Sequence, residues 1–92
     1  MPTFRVFSRR GCHLCELLLD ELSLIVRGRG TIEVIDIDLI PGLCEKYGTR
    51  IPVVELADRM LCEHRLDPGV IEDALRDEPQ GQRRWLGDRD GG

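Results

Sequence analysis

Long apolar runs are absent from this chain of 92 residues. No stretch approaches the roughly 20 apolar residues that cross a bilayer as a helix. A basic excess is absent too. The net charge is -4 and the pI about 5.1, which removes the global electrostatic case for nucleic-acid binding. Lysine is almost missing, since Lys46 is the one lysine among 13 basic residues. That bias reads as composition, not function. Met1-Pro2-Thr3-Phe4-Arg5 has no charged segment followed by an apolar one, the pattern of a secretory leader. The expectation is a cytoplasmic protein, in a compartment that holds thiols reduced. No internal repeat is visible. Gly28-Arg29-Gly30 lacks the third glycine of a nucleotide loop.

What is present suits one small globular domain. The hydrophobic content is 41%, too high for a disordered chain. The domain is expected over residues 1–78. From 79 to 92 the composition shifts to Gly, Gln, Arg and Asp, with Trp85-Leu86 as its apolar anchors. That segment reads as a flexible charged tail.

The most informative stretch is Ser8-Arg9-Arg10-Gly11-Cys12-His13-Leu14-Cys15. Before it, Thr3 to Phe7 reads as a strand, with Phe4 and Val6 on one side and Arg5 and Phe7 on the other. After it, Leu14, Leu17, Leu18, Leu22 and Ile25 recur at helical spacing. A helix is expected from about Cys12 to Val26, ended by Gly28. Cys12 therefore stands where a strand ends and a helix starts, and Cys15 follows one turn later. Thiols at that spacing can close a disulfide. The unpaired first amides, the positive end of the helix dipole, Arg9, Arg10 and a protonated His13 all favour the thiolate. Cys15, on the flank leading to the apolar stripe, is expected to be less exposed and less acidic. In a reducing compartment this reads as a redox dithiol. Two alternatives stand beside it. The pair could be half of a zinc site, although Cys44, Cys62 and His64 are poorly spaced to complete one. It could also be idle.

Thr31 to Ile37 alternates and is rich in β-branched residues, so it reads as a second strand with Ile32 and Val34 on one side. Asp36 and Asp38 read as strand-end or capping carboxylates rather than metal ligands. Pro41-Gly42 opens a short helix with Leu43 and Tyr47 inward and Gly48 as its stop. Cys44 faces away from that stripe. It reads as a passive residue, or as a third redox thiol. Val53 to Leu56 and Met60 to Glu63 flank Ala57-Asp58-Arg59 as a hairpin, with Cys62 a buried, inert thiol. Asp67-Pro68 starts a last helix, with Asp67 the cap and Leu66 stapling onto Ile71. His64 reads as a turn histidine. Pro52 belongs at a strand start, and trans is the default for its preceding bond.

The order β-α-β-α-β-β-α, with Cys12-His13-Leu14-Cys15 at the first helix and Ile51-Pro52 before the third strand, resembles the thioredoxin superfamily. Within it the likeness is to small bacterial glutaredoxin-like proteins, over about Thr3 to Asp77. The resemblance implies an α/β thioredoxin-like domain with a four-stranded mixed sheet flanked by helices. It implies a thiol–disulfide oxidoreductase of cell redox homeostasis, acting on protein or low-molecular-weight disulfides. Cys12 would be the nucleophile and Cys15 the resolving thiol. The Ile51–Pro52 bond would be cis and face the pair, with the Ile51 backbone pairing with a substrate peptide. Arg9 would meet a glutathione carboxylate and Asp67 its amine, with His13 also facing substrate. Two departures qualify this. His13-Leu14 replaces the usual Pro-Tyr, and Glu63-His64-Arg65-Leu66 replaces a Gly-Gly pair. The reading is a monomer with no tightly bound cofactor or metal, and with glutathione a weak co-substrate; the alternatives are a non-catalytic binding or assembly module of the same fold that holds a partner at Ile51-Pro52, or a metal-binding protein using Cys12 and Cys15.

Overall fold

The computed structural model describes residues 1–77. The tail expected from 79 to 92, with Trp85, lies outside them. Four strands form one mixed sheet in the order β2-β1-β3-β4. They are β1 (Thr3–Ser8), β2 (Thr31–Asp36), β3 (Val53–Leu56) and β4 (Arg59–Glu63). β1 and β2 run parallel, while β3 is antiparallel to both β1 and β4. Among the described residues three helices accompany them: α1 (His13–Val26), α2 (Leu43–Tyr47) and α3 (Pro68–Asp77). The element order is the one expected, with a single 3-10 turn, Ile37–Leu39, added after β2.

β1 is an interior strand, between β2 and β3, and has a packed layer on each face, as its alternation requires. Phe4 and Val6 point to one face, where Leu18, Leu22 and Val26 of α1 and Ile71 and Ala74 of α3 cover them. Phe7 points to the other, into a smaller cluster with Ile37, Tyr47 and Val53. The Phe7 and Tyr47 rings stack with centroids 4.2 Å apart. Tyr47 is buried, and its hydroxyl donates to Glu55 Oε2 at 2.7 Å, so α2 is tied to β3 by its one aromatic residue.

Several local expectations are corrected. The buried stripe of α1 is Cys15, Leu18, Leu22 and Val26, while Leu14 and Leu17 are 54% and 47% exposed. Both stripes have helical spacing. The one that meets the sheet includes the small Cys15 and leaves two leucines outside. β2 ends at Asp36, and Ile37 is buried in the 3-10 turn rather than in a strand. Val34 is exposed, because β2 is an edge strand whose inward contacts come from Ile32 on one face and Ile35 on the other. The hairpin turn is two residues long, Ala57-Asp58, since Leu56 pairs with Arg59. Gly48 ends α2 without a left-handed backbone, at φ -53°. A side chain there would collide with the Cys44 carbonyl oxygen. Gly28, in contrast, has φ +74° and closes α1 as a left-handed glycine does.

Candidate functional site

β1 delivers the site. Its last residue, Ser8, is buried, and the chain then turns through Arg9-Arg10-Gly11. The Cys12 N–H donates to the Arg9 carbonyl at 3.2 Å, and Gly11 takes φ +78°. A four-residue turn with a positive φ at its third position favours glycine there. Cys12 is therefore not the first residue of α1 but its N-cap. Its Sγ accepts the Cys15 N–H at 3.2 Å. A cap normally satisfies such an amide with oxygen; here a sulfur stands in that position, where negative charge is favoured.

Cys12 and Cys15 are disulfide-bonded, with Cα atoms 5.2 Å apart. Cys12 is partly exposed, and Cys15 is 2% exposed at the sheet end of the buried stripe. One cysteine of the pair thus reaches the surface and the other is buried. His13 is exposed, with Nδ1 4.0 Å from Glu16 Oε1. The Ile51–Pro52 bond is cis, as the family resemblance implied and against the trans default of the sequence alone. Pro52 is buried, and its carbonyl accepts the His64 N–H at 2.8 Å. The Ile51 N–H donates to the Tyr47 carbonyl at 3.1 Å.

Asp67 caps α3, its Oδ1 accepting the Gly69 and Val70 amides at 3.1 and 3.4 Å. Leu66 packs into the same cluster as Ile71. His64 is an exposed turn residue at φ +66°. With Leu14, Leu17, Leu18, Glu21, Arg65 and Leu66 it lines a shallow cavity of about 320 Å³. Among the described residues, no three His, Cys, Asp or Glu side chains stand close enough to hold a metal ion.

Sequence reasoning missed one cluster. Asp36, not Asp38, caps the 3-10 turn by accepting the Asp38 N–H at 2.9 Å. Asp38 instead grips Arg9. Arg9 Nε donates to Asp38 Oδ2 and Nη2 to Oδ1, both at 2.9 Å. The Cys44 thiol donates to Asp38 Oδ1 at 3.1 Å, and Arg9 Nη2 lies 2.8 Å from Cys44 Sγ. The hydrogen bonds from Arg9 and Cys44 hold the Asp38 carboxyl below its usual range. The signal for this cluster was topological. β1 and β2 are parallel with Ser8 opposite Asp36, so the residues that follow both strands emerge side by side.

The other two thiols are tuned against reactivity. The hydrogen bond to Asp38, with some desolvation, pushes the Cys44 thiol above its ordinary value. Burial pushes Cys62 up as well. Thiolate is the nucleophile, so both should label slowly with iodoacetamide in the reduced protein at neutral pH. Cys44, which is exposed, should accelerate as pH rises towards its raised value. Cys62, which is buried, should wait for unfolding. Time-resolved peptide mapping checks both, and Cys44 labelling as fast as Cys12 would refute the first.

Comparisons agree with the geometry. Residues 3–76 match the family model described as Glutaredoxin-like domain (DUF836). No curated protein matches the chain. Among solved structures, the solution structure of protein Ne2328 from Nitrosomonas europaea is 35% identical, with a TM-score of 0.72 over 80% of this chain and 91% of that one. The crystal structure of protein XcR50 from X. campestris is 26% identical, with a TM-score of 0.64 over 83% and 99% of the two chains. The Trx4 domain of ERdj5, at 16% identity and a TM-score of 0.58 over 85% and 79%, shares the fold. With its mixed sheet, its disulfide at the start of α1 and its match over nearly all described residues, the chain belongs to the glutaredoxin-like domain family of the thioredoxin superfamily.

Proposed function

We propose that the protein is a thiol–disulfide oxidoreductase acting through Cys12 and Cys15 on protein or low-molecular-weight disulfides. The observation that carries this is the asymmetry of the pair: a partly exposed sulfur at a helix N-cap, bonded to one that is 2% exposed. The Cys12 thiolate attacks a substrate disulfide R–S–S–R′. A Cys12–S–S–R bond forms, and R′S⁻ leaves and takes up a proton. The Cys15 thiolate then attacks the Cys12 sulfur, RS⁻ leaves and is protonated, and the Cys12–Cys15 disulfide closes. Two electrons have passed to the substrate. In this reading the Ile51 backbone would pair with a substrate peptide, and His13, which is exposed and next to Cys12 in the chain, would also meet the substrate. The setting that suits this chemistry is cytoplasmic, with the protein working as a monomer and reset by a thiol donor.

Glutathione is a weak co-substrate in this reading. Arg9, which would meet its carboxylate, already holds Asp38, and Asp67 spends Oδ1 on capping α3. Turnover in a glutathione-coupled disulfide assay should therefore be low. Robust turnover that is lost on Arg9→Ala would contradict this.

The test is a titration of the Cys12–Cys15 couple in thiol buffers, read by alkylation and mass. One reversible two-electron transition is expected. A midpoint near about -270 mV would mark a reductase, and one near about -120 mV an oxidant. A pair that cannot be cycled would refute the reading.

A further inference from the structure

Arg9 and Asp38 form more than a casual surface pair. Asp38 is held in place from below: Ile37 is buried, and Asp36 caps the turn that carries Asp38. The Arg9 fork meets both carboxylate oxygens, and the Cys44 thiol adds a third donor to Oδ1. Arg9 in turn is tied to the site, because its carbonyl accepts the Cys12 N–H. The two ends of such a turn lie within about 7 Å of one another. An exposed ion pair contributes little to stability, so the consequence of this one is its effect on the local field. Arg9 and Arg10 are the two cations of the turn that leads to Cys12. Asp38 cancels one of them.

We infer that Asp38 is a specificity-determining residue: by occupying Arg9 it biases exchange at Cys12 against anionic thiols and in favour of neutral ones. This rests on the exchange reading above. When a thiol reduces the oxidised protein, RS⁻ bonds to the Cys12 sulfur and the Cys15 thiolate leaves and is protonated. A second RS⁻ then takes the first sulfur away as R–S–S–R, and the Cys12 thiolate remains. The approaching thiolate carries the same charge for every thiol. A second anionic group on R adds a charge that feels the field at the turn.

The experiment compares reduction of the oxidised protein by 2-mercaptoethanesulfonate, which is anionic, with reduction by 2-mercaptoethanol, which is neutral. The ratio of the two rate constants cancels any change in the disulfide itself. Asp38→Asn should raise the ratio of anionic to neutral about threefold or more at low ionic strength, as expected for one uncancelled charge near a partly solvated site. Molar salt should collapse the gain. Arg9→Ala in the Asp38→Asn background should erase it. Asp38→Ala, which removes the carboxylate by a different route, should repeat it. An unchanged ratio in both Asp38 variants overturns the inference while leaving the exchange reading intact, and so does a gain that survives Arg9→Ala. Failure of both thiols to reduce the wild-type disulfide overturns the exchange reading and the inference with it.

Discussion

Cys12→Ser abolishes disulfide exchange, and Cys15→Ser stops it halfway: these are the expected results of the most direct test of the site. Cys12 is the partly exposed member of the pair, and it sits at the N-cap, where its charged form is favoured. A serine hydroxyl there remains a good cap, so the fold survives while the nucleophile is lost. Cys15 is 2% exposed and cannot make the first attack. Without it Cys12 still opens a substrate disulfide, but nothing releases the product, and the mixed disulfide accumulates. Incubation of Cys15→Ser with a disulfide substrate, followed by intact mass, should show a stoichiometric adduct on Cys12. The role assignment fails if iodoacetamide labels Cys15 faster than Cys12 in the reduced wild type, or if Cys15→Ser turns over normally. Unchanged function in Cys12→Ser would point instead to a binding role for the Ile51-Pro52 region.

Much of this was legible from local pattern. Phe4, Val6 and Phe7 declared a strand. The glycine and cysteine after it declared the turn and the helix start, and Asp67-Pro68 declared α3. These features depend on residues a few positions apart, which is why one sequence suffices for them. What stayed hidden depends on pairs far apart in the chain. Arg9, Asp38 and Cys44 come together only once β1 and β2 align in parallel register. Asp38 looked like a cap because Asp36, two residues away, has the same side chain and took that role. The geometry of the Ile51–Pro52 bond was likewise invisible to composition and came only through the family resemblance. Hydrophobic period misled in one place. It marks a helix and its rotation to within one residue, but it cannot say which of two neighbouring stripes meets the sheet.

That ambiguity in α1 gives the largest expected effect on stability. Leu22 is 0% exposed, between β1 and α3 in the main cluster. Leu22→Ala removes three buried carbons and leaves a cavity that the sheet cannot collapse to fill, a change that costs about 2–5 kcal/mol. A domain this size has a total stability of roughly 5–15 kcal/mol, with a small core behind it, so a large share is lost. The melting temperature should fall by about 4–8 °C for each kcal/mol. Leu14, one of the leucines grouped with Leu22 by spacing alone, is more than half exposed. Leu14→Ala loses little buried area, and alanine favours the helix, so its change should stay within about 0.5 kcal/mol. Urea melts of the two variants decide between the stripes. Equal losses would return Leu14 to the core. A large loss at Leu22 with none at Leu14 would leave Leu14 and Leu17 as an apolar surface on the wall of the cavity that Leu66 and His64 complete.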